Sequence, residues 1–161
     1  MKRLTCLLLI CCLFLSGCTM FGARVKEPVT FYYIRSDYQE TMQSVIGSEI
    51  REAAGHRSDL PYLLALYSMG PSSESLVSAF PKNIKIIPTE HTEKGIVLSI
   101  SDELLDMTES EFTLACACLS LTCMELTDAE KITLVNGERK LAIRKDNLLT
   151  LENLVWKNME E

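Results

Sequence analysis

Apolar residues along the chain follow three regimes: an unbroken run at the start, short alternating stretches through the middle, and one long block centred near residue 118. The alternating stretches predict strands. Pro28–Ile34 is dense in β-branched and aromatic side chains, the composition that fits a pleated, half-buried surface. Val45–Ala53 reads as a second strand with Val45, Ile50 and Ala53 inward, or as a helix, because Gly47 and Glu49 suit a strand poorly. Ile84–Ile87 is a strand ending before Pro88, and Gly95–Ile100 alternates and is expected to pair with it across the charged loop Glu90–Lys94. Lys131–Val135 and Lys140–Ile143 flank Asn136-Gly137, a dipeptide that supplies the positive φ of a tight hairpin.

Helical spacing fills the gaps. Ser58-Asp59 is a capped start, with Pro61 tolerated in the first turn, and Leu60, Leu63, Leu64 and Tyr67 lie on one face before Gly70-Pro71 stops the helix. Pro71–Ser75 is a second capped start, predicting a short helix through Leu76, Val77 and Phe80 to Pro81. Ser101–Leu105 is a capped turn or short helix. Thr108-Glu109-Ser110-Glu111 has the form of a capping box. The block after it, Phe112–Met124, is apolar nearly all round, the mark of a helix in the middle of a fold. Asn147–Glu161 reads as a C-terminal tail or short terminal helix, with Trp156 as a packing anchor. The order β-β-α-β-β-α-β-β predicts an α+β domain, a mainly antiparallel sheet with helices on one face.

The opening run has its own meaning. Met1-Lys2-Arg3 is basic, Leu4–Leu15 carries no charge, and Leu15-Ser16-Gly17-Cys18 follows. A positive start, an apolar stretch and small residues before a cut site make a secretory signal peptide. Leu-Ser-Gly-Cys at this place resembles the lipobox of bacterial lipoproteins. That resemblance makes Cys18 the lipidated first residue of the mature chain and predicts a cell-membrane location, anchored at the extracytoplasmic face. A thioether-linked diacylglyceryl group matters because one acyl chain gives only marginal membrane binding. The expected divisions are residues 1–17 as signal peptide, 18–28 as lipidated cysteine and linker, 29–146 as a single domain and 147–161 as the tail.

Charge then restricts the partners. The 161 residues carry 16 Lys plus Arg against 22 Asp plus Glu. Losing Lys2 and Arg3 with the leader deepens the net charge from −6 to −8. An acidic body of this kind is not a dedicated nucleic-acid binder and is repelled by an anionic leaflet. Of seven cysteines, Cys6, Cys11 and Cys12 leave with the leader and Cys18 is modified. Cys116 and Cys123 stand two turns apart on the predicted helix, about 10 Å by its rise, beyond disulfide reach. Cys118 points elsewhere, so the three read as buried thiols.

Candidate chemistry is sparse. His56 and His91 are the only histidines, and neither Ser58 nor Ser78 has the elbow context of a triad nucleophile. Glu90, His91 and Glu93 offer a weak metal set on a loop, better read as solvated charges. Asp102, Glu103, Asp106, Glu109 and Glu111 form an acidic cluster in which paired carboxylates would suit glycoside hydrolysis, but they sit at helix starts, where the dipole favours negative charge. Tyr32, Tyr33 and Tyr62 are candidates for a shallow groove. No cofactor and no metal site is expected.

Ser68-Met69-Gly70-Pro71 follows the Leu-rich helix, and Ala79-Phe80-Pro81 comes soon after. With these words, which match its Leu-Leu-x-Gly-Pro and x-x-Pro elements, the chain from Leu63 onward resembles the GerMN domain of sporulation and spore-germination proteins of Gram-positive bacteria. Val97–Ser101 matches the strand that follows. Leu121-Thr122 and Ile132–Glu138 resemble its Thr-Leu helix and closing hairpin. Tyr67-Ser68 stands where the family has two leucines, and Cys123 follows Thr122 where it has Leu. The resemblance implies a lipoprotein with a ring-building-motif-like fold and no enzymatic activity. It further implies an interaction module for an envelope, sporulation or germination complex, with a protein partner or self-association. The alternative is a lipoprotein that binds peptidoglycan or a small ligand.

Overall fold

The computed structural model describes residues 26–37, 44–92, 95–147 and 157–158. The leader, Cys18 and most of the C-terminal segment, Trp156 included, lie outside these residues. The architecture is α+β. Strands β1 (Pro28–Arg35) and β2 (Ile46–Glu52) precede helix α1 (Leu60–Ser68) and strand β3 (Leu76–Val77). Strands β4 (Ile86–Thr92) and β5 (Gly95–Ile100), a 3-10 turn (Asp102–Asp106), helix α2 (Glu109–Thr127), and strands β6 (Lys131–Asn136), β7 (Arg139–Arg144) and β8 (Lys157–Asn158) complete it. Among the described residues, no helix is long and apolar enough to cross a membrane.

The expected single sheet is two. One has the order β2-β1-β3, all antiparallel, and the other β4-β5-β6-β7-β8, antiparallel except for the parallel pair β5-β6. That parallel step follows from the intervening helix, because a parallel connection needs a long crossover. One core joins both sheets and both helices: Phe31 and Tyr33 from β1, Leu63, Leu64 and Tyr67 from α1, Leu98, Ile132 and Leu134 from the larger sheet, and Leu119 from α2. Each of these strands alternates between buried and exposed positions as the sequence predicts.

Helix α2 begins at the predicted box: Glu111 N donates to Thr108 Oγ1 at 3.4 Å, and Thr108 N donates to Glu111 Oε2 at 2.9 Å. Its C-cap, Asp128, is left-handed at φ 58°. Cys116, Cys118 and Cys123 are all buried free thiols. Burial pushes each thiol upward, Cys118 and Cys123 to about 12.

Four expectations change. The short helix at Leu76–Phe80 is absent, and Leu76–Val77 instead pairs with Arg35 and Ile34. The Ser72 and Ser73 amides that would have opened the helix donate to the Glu49 carboxylate at 3.0–3.1 Å. Strand β4 runs through Pro88 and the supposed loop as far as Thr92, with a bulge between Pro88 and Glu90. Proline is tolerated because β4 is an edge, where a ladder donor is dispensable. The hairpin turn shifts by one residue: Asn136 pairs with Arg139 and Gly137, at φ 55°, takes the first loop position. Finally, Ala53 is inward as expected but Ile50 is 64% exposed, because Glu49 and Arg51 occupy the face of β2 that meets α1.

Candidate functional site

One of the segments that resemble the family, Ala79-Phe80-Pro81, lines a groove on the surface. After β3 the chain turns through Ser78-Ala79-Phe80-Pro81. Ser78 Oγ accepts from Phe80 N at 3.2 Å and fixes that turn. The Phe80 ring meets Tyr67 edge-on at 6.3 Å, and Tyr67 stacks on Tyr33 at 5.0 Å. Tyr33 is therefore a core residue, not part of a surface groove with Tyr32 and Tyr62. Its hydroxyl donates to Tyr67 O at 3.2 Å, and the Tyr67 hydroxyl donates to Tyr32 O at 3.1 Å. Desolvation pushes both phenols upward.

Opposite this turn lie the 3-10 turn and the start of α2. Together they enclose an open groove of about 500 Å³. Ile34, Ala79, Phe80, Pro81 and Met107 give it apolar walls, and Glu103, Asp106 and Glu111 give it an acidic rim. Two of these carboxylates, Glu103 and Glu111, are stabilised as anions. A Ser101 hydrogen bond, its own backbone amide and nearby Lys85 hold Glu103 below its usual range, and the Thr108 cap does the same for Glu111. A glycosidase needs one carboxyl raised, to act as an acid. Asp102 is engaged elsewhere: Asn136 Nδ2 donates to Asp102 Oδ1 at 2.9 Å and to Ile100 O at 3.0 Å. Asn136, expected as a turn residue, is buried and ties the hairpin to the 3-10 turn.

A second hollow, also about 500 Å³, lies between α1 and the end of α2, lined by Arg57, Ser58, His91, Glu125, Thr127 and Asp128 among others. His91 reaches it from β4, not from a loop. Ser58, His91 and Asp128 thus share one depression, but all three are exposed and no hydrogen bond links them, so no nucleophile–base pair exists. His56 stacks on Tyr62 at 4.1 Å, with Nδ1 3.5 Å from Asp59 Oδ2. It supports the cap of α1. Among the described residues, no group of three or more His, Cys, Asp or Glu is placed to hold a metal ion.

Two polar devices escaped the sequence reading. Arg51 pairs with Glu49 and also donates to Leu66 O at 3.2 Å and to Gly70 O. It satisfies carbonyls at the C-terminus of α1, where cations are favoured. Thr122, in the middle of α2, accepts from Tyr32 N at 3.0 Å. The N–H and C=O of Tyr32 face away from β2, beyond the short β3, so side chains from two helices replace a missing strand there. The signals were present, since a charged pair within a strand and a Thr inside an apolar helix both break their local pattern.

No protein-family model matches the chain, and no curated protein does. Two solved structures are similar. The tandem GerMN domains of the sporulation protein GerM from Bacillus subtilis superpose with a TM-score of 0.50 at 15% identity, covering 68% of this chain and 38% of that one. A Clostridium perfringens chain described as a candidate lipoprotein gives 0.49 at 15% identity, covering 80% and 95%. The chain thus spans less than half of the tandem-domain structure. At this identity the likeness shows fold alone: an α+β, GerMN-like domain.

Proposed function

We propose that the protein is a lipid-anchored, extracytoplasmic interaction module that helps to assemble a cell-envelope or sporulation complex and catalyses no reaction of its own. The supporting observation is that the segments resembling the GerMN family belong to a domain of that fold type, while two carboxylates at the groove, Glu103 and Glu111, are engaged in local hydrogen bonds that lower them. Cys18 supplies the anchor, and contact with a partner is the activity.

The test is partner capture by crosslinking in intact membranes, using the native chain and a Cys18→Ala control, with mass spectrometry of the N-terminal peptide. A diacylated Cys18, a specific partner or self-association, and release or precursor retention of the control are expected. An intact leader on the native chain would overturn the anchor. A wall-lytic activity abolished by alanine at Glu103, Asp106, Glu109 and Glu111 would overturn the non-catalytic reading. The second hollow sets Arg57 beside Glu125 and Asp128, which favours the alternative of a zwitterionic wall fragment as ligand. Co-sedimentation with purified peptidoglycan, lost on Arg57→Ala, would carry that alternative.

A further inference from the structure

The two sheets end differently. The outer edge of β4 carries Pro88, a bulge and the exposed polar Glu90 and His91, features that disfavour strand addition. The outer edge of β2 has neither the proline nor the bulge. It is a regular seven-residue strand, Ile46–Glu52, at the end of its sheet. Among the described residues no strand pairs with the side of β2 away from β1. Arg35 N donates to Val45 O, and Ala53 N donates to Glu27 O. The odd-numbered residues of β2 therefore bond to β1, and the backbone groups of Ser48, Ile50 and Glu52 point outward.

Its side chains are also inverted. The Glu49–Arg51 pair lies on the inner face, each side chain largely covered, while Ile50 faces water at 64% exposure. On the same outer face, Ile46, Ile34 and Val77 form a row across the three strands, with Val77 45% exposed. An apolar outer face beside an open edge is a surface for strand addition.

We infer that β2 pairs antiparallel with β2 of a second copy, about a two-fold axis through Ile50, joining two three-stranded sheets into one. This rests on reading the chain as an interaction module and names the surface and the partner. The register follows from charge. Centring on Glu49 or on Arg51 sets like charges directly opposite each other, which destabilises a sheet. Centring on Ile50 places Glu49 opposite the second copy's Arg51, and Arg51 opposite its Glu49. These are non-hydrogen-bonded positions, where side chains come closest. Ile50 then faces its own counterpart, and Ser48 faces Glu52. A palindrome of charge around an exposed isoleucine fits a copy of itself better than a foreign strand.

The experiment uses the full chain in mild detergent with Cys6, Cys11, Cys12 and Cys18 changed to Ser, leaving the three buried thiols in place. Ile50→Cys is expected to form a disulfide dimer under mild oxidation, since facing Cα atoms in a hydrogen-bonded pair lie about 5.5 Å apart. Ser48→Cys alone should not, because its counterpart lies about 13 Å away along the strand. Ser48→Cys with Glu52→Cys should crosslink again. Without added cysteines, sedimentation should show dimer growing over roughly 10 μM to 1 mM. Ser48→Pro, which removes only an outward donor, should abolish it with an unchanged melting temperature. A chain monomeric throughout this range, a Ser48→Cys that crosslinks as readily as Ile50→Cys, or an edge occupied by a different protein would overturn the pairing. The first two would leave the wider interaction-module reading standing.

Discussion

The five-stranded and three-stranded sheets are held by different forces. In the larger one, β5, β6 and β7 alternate buried apolar residues with half-buried or exposed ones, and Leu98, Ile132 and Leu134 are buried in the shared core. In the smaller one, β1 has a full ladder on one side, but a two-residue strand and side chains from two helices on the other. Polar fasteners stand where the larger sheet has strands. A sheet completed by side chains is therefore more exposed to changes of pH and to single polar substitutions than one completed by backbone and hydrophobic burial.

The largest expected effect tests the hydrophobic half. Leu134 is completely buried between β5 and β7. Leu134→Ala should cost about 2–5 kcal/mol by lost transfer energy and cavity formation, read as a lower urea midpoint. That loss should hardly change between pH 7 and pH 4, because no titrating group takes part.

Arg51→Met tests the polar half. It strips Glu49 of its counter-charge and leaves the Leu66 and Gly70 carbonyls without their donor, at a cost of about 1.5–3 kcal/mol. Hydrogen exchange should locate the loosening at β2 and the end of α1, with β5–β7 protected as before. Any outcome in which β5–β7 opens together with β2 would merge the two halves into one cooperative unit.

Acid should pick out the same clamp. Burial raises the Glu49 carboxyl, but the Ser72 and Ser73 amides and the Arg51 guanidinium outweigh it, so the group lies below its ordinary value. A carboxylate lowered on folding stabilises the native state fully above its unfolded pKa, and that contribution disappears as pH falls through the folded one. Stability should therefore drop below about pH 4.5, and Glu49→Gln should flatten that part of the profile while lowering stability at pH 7.

This division also explains what the sequence made legible. Strands β5, β6 and β7, the capping box of α2 and the hairpin beside Asn136-Gly137, its turn one residue later, came through, because each is set by local pattern or turn chemistry. The second strand was ambiguous because its charged pair is bound to α1 and to the Ser72-Ser73 turn, partners distant in sequence. Leu76–Val77 was read as helix because the Glu49 carboxylate that captures its first amides lies more than twenty residues away. The groove was half legible: the acidic cluster and Ala79-Phe80-Pro81 were visible separately, but only the fold brings them together.

The smallest effects compare two hydroxyls on one helix. Thr122 Oγ1 accepts the Tyr32 amide, whereas Ser120 Oγ, two residues earlier and equally buried, has no hydrogen-bond partner among the described residues. Thr122→Val keeps the shape and leaves a β1 amide unpaired, which should cost about 1–2 kcal/mol; Thr122→Ser, which retains the oxygen, should recover much of that. Ser120→Ala removes a hydroxyl that gains nothing from folding, so it should be neutral or stabilise by up to about 1 kcal/mol. Equal losses at both positions in denaturant titrations would mean that Thr122 contributes only packing, and that the free edge of β1 is not completed by its hydroxyl.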